Sequence, residues 1–149
     1  MRERNDLLDE GSASGLEVFQ LTTEALPSSH IYMEAQIFTP DSQRLLVHRS
    51  AHPHGSDPKD PEHRYLLCDL EAAGELSPIT AELGATAPSI SPDGDLLYYF
   101  VNETAPGVGG KLTLKRVRLD GTQREEVIAI DGMQPIDAVT AAIESALAG

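Results

Sequence analysis

Apolar residues along this chain come in short runs, many of them alternating with polar positions, and turn-forming residues separate the runs at near-regular intervals. Leu16-Glu17-Val18-Phe19-Gln20-Leu21-Thr22 is rich in β-formers and partly alternating, the pattern of a half-buried strand. Ahead of it, residues 1–15 are charged and then Gly/Ser-rich through Gly11-Ser12-Ala13-Ser14-Gly15, which predicts a flexible lead. The longer runs downstream repeat one another. Ile37-Phe38-Thr39-Pro40-Asp41-Ser42-Gln43-Arg44-Leu45-Leu46-Val47 matches Ile90-Ser91-Pro92-Asp93-Gly94-Asp95-Leu96-Leu97-Tyr98 when Pro40-Asp41 is laid on Pro92-Asp93. Proline pre-sets φ, aspartate bonds back to the backbone, and the next residue takes a positive φ, which Gly94 tolerates better than Ser42. Each copy is therefore expected to be a hairpin.

The match continues beyond the hairpins. Arg64-Tyr65-Leu66-Leu67-Cys68-Asp69-Leu70 corresponds to Leu112-Thr113-Leu114-Lys115-Arg116-Val117-Arg118-Leu119, with acidic and glycine turn residues after both, at Glu71 to Gly74 and at Asp120-Gly121. A fourth strand closes each unit, Leu76 to Thr80 in the first and Arg124 to Ile130 in the second. Four antiparallel strands in about 50 residues, written twice, fit propeller blades better than a sandwich, which would not repeat its turn chemistry at a fixed interval. The expected fold class is all-β, with two four-stranded antiparallel propeller blades, a partial β-propeller, and a short C-terminal α-helix. The partial propeller spans residues 16–132, with blade 1 at about 35–80, blade 2 at about 87–130 and the outer strand of a preceding blade at about 17–22. The helix follows in 133–149, because Ile136, Val139, Ile143 and Leu147 recur at helical spacing beside Ala138, Ala142 and Ala146, with Asp137 near the helix start. Its apolar stripe needs an open sheet edge, the exposed face of the second blade, or a second copy of the chain to cover.

Composition narrows the function. The 149 residues carry 11 Lys and Arg against 24 Asp and Glu, a net charge of -13, which disfavours nucleic acid and anionic membrane surfaces. Four Tyr, three Phe and no Trp are a thin supply of large core side chains, so the core is modest or completed by a partner. Neither a signal-peptide core nor a membrane-length apolar stretch is present, and the expected location is cytoplasmic. Cys68 has no cysteine partner in the chain and sits in an apolar run, as a structural thiol does.

Pro27-Ser28-Ser29-His30-Ile31-Tyr32-Met33-Glu34-Ala35-Gln36-Ile37-Phe38-Thr39-Pro40-Asp41-Ser42, then Tyr65 to Asp69 and Ala87 to Gly94, resembles the amino-terminal blades of the oligogalacturonide lyases, within the broader TolB-like propellers with Pro-Asp repeats. That resemblance implies a ring of about seven blades. It also implies β-elimination on pectin-derived oligogalacturonate, with manganese or another divalent metal bound by His and Gln of later blades. Those ligands lie beyond the stretch of resemblance, so no metal site, cofactor or catalytic residue is carried onto this chain. A fragment of a longer protein, a degenerate family member and one part of a self-assembled ring all fit. A homo-oligomer or the remainder of the propeller would then be a partner, and an acidic oligosaccharide the ligand. The competing class is a non-enzymatic TolB-like module for protein or carbohydrate binding.

Candidate site residues follow from the same stretch. His30, Tyr32 and Glu34 alternate ahead of the first inner strand, where the resemblance places the ligand mouth, and Glu34 could accept from sugar hydroxyls. His48 and Arg49, with Arg44, Lys59 and Arg64 nearby, are the local concentration of positive charge that could meet uronate carboxylates, although alternation puts His48 and Arg49 on opposite strand faces. His48, His52, His54 and His63 fall close together in sequence and suggest a metal. The Pro-, Gly- and Asp-rich stretch Ser50 to Pro61 instead reads as an exposed connection. Gly107-Val108-Gly109-Gly110 reads as a hairpin connection, not a phosphate loop.

Overall fold

In the computed structural model, which describes residues 1–52, 57, 59–104 and 110–148, the two Pro-Asp turns are one structure built twice. At the first, Thr39 Oγ1 donates to Asp41 Oδ1 (2.5 Å), which also accepts from Gln43 N–H (3.0 Å), while Thr39 Oγ1 accepts from Arg44 N–H (3.1 Å). Ser91, Asp93, Asp95 and Leu96 repeat these bonds at 2.5, 3.1 and 3.0 Å. The residue after Pro-Asp has positive φ in both, 59° at Ser42 and 79° at Gly94. The turns meet across the blade boundary: a Cβ on Gly94 would lie 2.6 Å from Pro40 Cδ.

Among the described residues, ten strands and one α-helix follow in order. The strands are β1 (Arg2–Glu3), β2 (Phe19–Gln20), β3 (Ser28–Ser29), β4 (Arg44–Arg49), β5 (Arg64–Asp69), β6 (Glu75–Pro78), β7 (Ala85–Ile90), β8 (Leu96–Asn102), β9 (Lys111–Arg118) and β10 (Glu125–Asp131); the helix is α1 (Ile136–Leu147). Two antiparallel four-stranded sheets result, β3-β4-β5-β6 and β7-β8-β9-β10, and β1 pairs with β2 in a third, two-stranded sheet. These are the two blades that the repeated pattern predicts. The stretch Gly107 to Gly109, like His54, lies outside the described residues.

The first blade departs from the second in its first strand. In blade 2, β7 runs beside β8 with a single irregularity between Thr86 and Ser89. In blade 1, Ser28 and Ser29 pair with Arg49 and His48, the chain leaves the sheet, and only the Phe38–Leu45 bridge rejoins it. The intervening residues form a turn closed by Ala35 N–H on Tyr32 O at 3.0 Å. Ile31, 9% exposed, together with the partly buried Ala35 and Ile37, anchors this excursion to the core. The sheet of blade 1 therefore begins at Ser28–Ser29. At the N-terminus, residues 1–15 include β1 and a 3₁₀ turn over Asn5–Leu7, and β2 takes β1 as its partner.

Strand register explains why β4 and β5 read as unbroken apolar runs: both faces are covered. Leu46, Tyr65 and Leu67 face blade 2 and join Leu97, Tyr99, Val101 and Val117 in one buried cluster. Leu45, Val47, Leu66 and Cys68 form a second cluster on the opposite face, against Leu21 just beyond β2 and Leu70 and Leu76. Burial pushes the Cys68 thiol up, so it packs as a small hydrophobe. The N-terminal segment thus occupies the flank where a preceding blade would lie.

A polar cluster seals the blade boundary. The Glu82 carboxylate accepts from Tyr99 Oη (3.1 Å) and Lys115 Nζ (3.1 Å), with Arg124 Nε 3.7 Å away. Burial drives that carboxyl up, but its backbone hydrogen bonds, Lys115 and Arg124 together outweigh burial and hold it below the usual carboxylate range. Glu82→Ala should lower unfolding stability by about 1–3 kcal/mol, since Tyr99 and Lys115 lose their common acceptor and Arg124 its ion-pair partner; urea denaturation checks this.

On the far face of blade 2, Ile143 and Leu147 of α1 lie over Tyr98, Phe100 and Leu114 and leave an open cavity of about 460 Å³. Of the three surfaces the amphipathic stripe could cover, the exposed face of the second blade is the one it meets. No helical residue is fully buried, and Ile136 is 82% exposed.

Candidate functional site

The first strands of the two blades, β3 and β7, stand on either side of a cleft of about 1000 Å³. Its walls carry Ser28, Ser29, His30, Tyr32 and Ala35 from blade 1 and Thr86, Ala87, Pro88 and Ser89 from blade 2, with Ile31, His48 and Tyr65 completing the lining. In a propeller this is the side that faces the central channel.

Hairpin register builds the polar floor. His48 lies opposite Tyr65 in the β4–β5 pair, and continuing the register one step past Arg49–Arg64 sets His63 diagonal to His48 on the same face. The His48 and His63 ring nitrogens, Nε2 and Nδ1, are 2.8 Å apart, and His63 Nε2 is 2.6 Å from Ala85 O, the first carbonyl of β7. The chain of contacts therefore crosses from blade 1 to blade 2. Ring centroids of His48 and His63 are 4.5 Å apart, and both pack on Tyr65 at 5.6 and 5.5 Å. Burial, and then the neighbouring His63, push His48 below 6.5, against a smaller opposing pull from Asp60. Burial raises the Tyr65 hydroxyl to about 12, so it stays a neutral phenol.

Three of the five residues singled out from sequence, His30, Tyr32 and His48, line this cleft. Glu34 is exposed on the excursion and is not part of the lining. Arg49 faces away, in an ion pair with Glu24, and its Nε lacks a partner among the described residues. Arg64 pairs with Glu62 at 3.6 Å, so the cations of the hairpin are spread among acidic partners instead of converging. His52 is exposed, while the neighbouring Asp60 carboxylate accepts from Ala51 N–H (2.7 Å) and Glu62 N–H (2.8 Å). Among the described residues no group of three or more His, Cys, Asp or Glu is placed to hold a metal ion.

Sequence reasoning did not single out Tyr65, Ser28, Ser29, Thr86 or Ser89, and it weighed His63 only as one of four histidines whose closeness in sequence suggests a metal. The signal for His63 and Tyr65 was available: pairing the two apolar runs as a hairpin sets both beside His48. The hydroxyl residues had no such signal, because the cleft exists only where two blades meet.

Chemically, the cleft is a hydrogen-bonding surface with two tyrosine rings and no Lys, Arg, Asp or Glu in its lining. Ser28 Oγ is enclosed and has no hydrogen-bond partner among the described residues. The repeat of blades, the channel-side cleft and the blade-to-blade packing define a protein with a propeller-type fold.

No family model matches the chain, and no curated protein matches it. Among solved structures it is similar to the crystal structure of TolB from Acinetobacter baumannii, with 19% sequence identity and a TM-score of 0.50. The likeness covers 76% of this chain and 24% of that one. It shows a TolB-like propeller-type fold, of which this chain spans about a quarter of the TolB length.

Proposed function

We propose that this chain is a TolB-like blade pair that binds an oligosaccharide in the cleft between its first strands. The observation that supports it is the lining: Ser29, Thr86 and Ser89 with their hydroxyls and two imidazoles, with the Tyr32 ring 69% exposed beside them. Hydroxyl groups both donate and accept, as sugar hydroxyls do, and an exposed aromatic face suits the apolar face of a pyranose. A glycan array probed with the purified chain tests the reading. Retention of oligosaccharides by the parent, reduced about tenfold by Tyr32→Ala, is the expected result. Retention of none by the parent would sink it.

The finer reading is oligogalacturonate cleavage by β-elimination. The resemblance of Pro27 to Ser42 supports it, and so does the His48–His63–Tyr65 cluster, which sets titratable groups beside the same cleft. Incubation with oligogalacturonate, followed by ultraviolet detection of the unsaturated product, decides it. Product formed by the parent and lost in His48→Phe supports cleavage; no product with manganese present removes it.

A further inference from the structure

Hydrogen-bond directions around the cleft fix which protons its imidazoles carry. A carbonyl oxygen only accepts, so His63 Nε2 must carry the proton it gives to Ala85 O at 2.6 Å. In the neutral ring Nδ1 is then the acceptor, and His48 Nε2 must be the donor across their 2.8 Å contact. His48 is left with a bare lone pair on Nδ1. The same reasoning applies to His30, whose Nδ1 lies 2.6 Å from Ile31 O and must donate, leaving Nε2 as an acceptor. Both residues line the one cleft, and no Lys, Arg, Asp or Glu is among the residues lining it.

We infer that the cleft selects an uncharged polyhydroxylated ligand, a neutral saccharide, and holds it only while the His48 ring keeps its bare lone pair. This rests on the oligosaccharide reading above, narrows it to neutral sugars and stands against the oligogalacturonate alternative. Neutral sugar hydroxyls donate to the two imidazole lone pairs and exchange bonds with the Ser and Thr hydroxyls. A uronate carboxylate offers only acceptors, so it meets those lone pairs with its own, on a chain whose net charge of -13 already repels it. Protonation reverses the preference, because an imidazolium donates from both nitrogens.

The surroundings set where that reversal falls. On the connection between β4 and β5 the charged neighbour is Asp60, its oxygens already accepting from Ala51 and Glu62 N–H. On β5 the neighbour is the neutral Tyr65. Arg49 of β4 is turned to Glu24, and β7 contributes only uncharged residues from Ala85 to Ile90. Burial and the second imidazole therefore prevail over Asp60 and keep His48 neutral at pH 7.

Calorimetric titration of the full chain with cellotriose, maltotriose and trigalacturonate, at about pH 7.5 and about pH 5.5, tests the inference. A neutral trisaccharide should bind at the higher pH and lose about tenfold in affinity at the lower. His48→Phe, which puts at this position the residue that its repeat equivalent Phe100 already carries, should abolish the pH dependence along with about tenfold of the affinity. His30→Ala, on the exposed rim, should weaken binding severalfold with an unchanged melting temperature, so the test survives a destabilised His48 variant. Tighter binding of trigalacturonate, or equal binding of a neutral sugar at both pH values, overturns the inference while leaving an oligosaccharide site in place. Binding of none of the three at either pH overturns this inference, whereas only a blank glycan array overturns the oligosaccharide reading beneath it.

Discussion

Gly94→Ala is expected to destabilise the protein by about 2–4 kcal/mol, from left-handed strain plus overpacking, although it adds one methyl group at a turn. Two effects act at the same atom. At φ 79° a side chain sits in the left-handed region. The added Cβ would also fall 2.6 Å from Pro40 Cδ, and that carbon belongs to a ring closed on the backbone, so it cannot swing aside. The turn of blade 1 would have to lift off the turn of blade 2. Ser42 supplies the control, because it holds the equivalent position at φ 59° with a side chain already present. Ser42→Gly should therefore change stability by less than about 1 kcal/mol, relief of strain offsetting the entropy of the freer unfolded chain. Urea midpoints at constant slope measure both. Equal, small effects at the two positions would mean that the turns do not bear on each other.

The repeat was legible because hairpin chemistry is local: Pro40-Asp41 and Pro92-Asp93 each carry, within six residues, the hydroxyl, carboxylate and positive-φ position that close the turn. Register followed, since alternation along Leu45 to His48 and Tyr65 to Cys68 assigns each side chain to a face, and the opposite facing of His48 and Arg49 was readable for that reason. Other features depend on contacts between elements distant in sequence. The departure of residues 30–36 from the first blade is set by Ile31 and Ala35 reaching the interblade core and by Ile90 N–H bonding to Gln36 O at 2.8 Å. No periodicity within 30–36 encodes this. Likewise β2 looks like a closing strand, yet its ladder partner is β1, because the charged segment Arg2–Glu3 is the free edge within reach. The cleft is the extreme case: Ser28 and Ser89 are sixty-one positions apart and become neighbours of one volume only when the blades pack.

That packing also explains why a two-blade stack has a stable middle and exposed flanks. Each blade offers two apolar faces, and the interblade cluster uses one face of each. Blade 1 covers its second face with the Leu21 segment. Blade 2 covers its own only in part, through a helix with no buried residue, so Tyr98 and Phe100 stay half-exposed. The energetic weight of the fold therefore lies at the β4–β5 to β7–β9 boundary, and changes there should outweigh changes at either flank.

His63→Leu places the second large effect at that boundary, a loss of roughly 2–4 kcal/mol, because it orphans two buried groups at once, the Ala85 carbonyl and the His48 Nε2–H. His48→Phe orphans only His63 Nδ1 and keeps the bond to blade 2, so it should cost about half as much. In a double-mutant cycle the pair should be non-additive, since the two side chains share one hydrogen bond. The pH dependence separates this reading from simple packing. His48 is held below 6.5 in the folded state, so as pH falls past that value the unfolded chain takes up the proton first. Stability then rises with pH across the interval between the folded and unfolded values; on acidification it drops below 6.5 and levels off once the folded protein is also protonated. Carboxylates do not confuse the interval, because the turn residues Asp41, Asp93 and Asp120, and Asp60, are all held below 3.8 and add their own loss only at lower pH. The melting temperature of the parent should thus fall between about pH 7 and about pH 5, and His48→Phe should flatten that fall. A variant whose melting temperature tracks the parent's through the whole interval would place the titrating group elsewhere, and the imidazole bridge would then be only a packing contact.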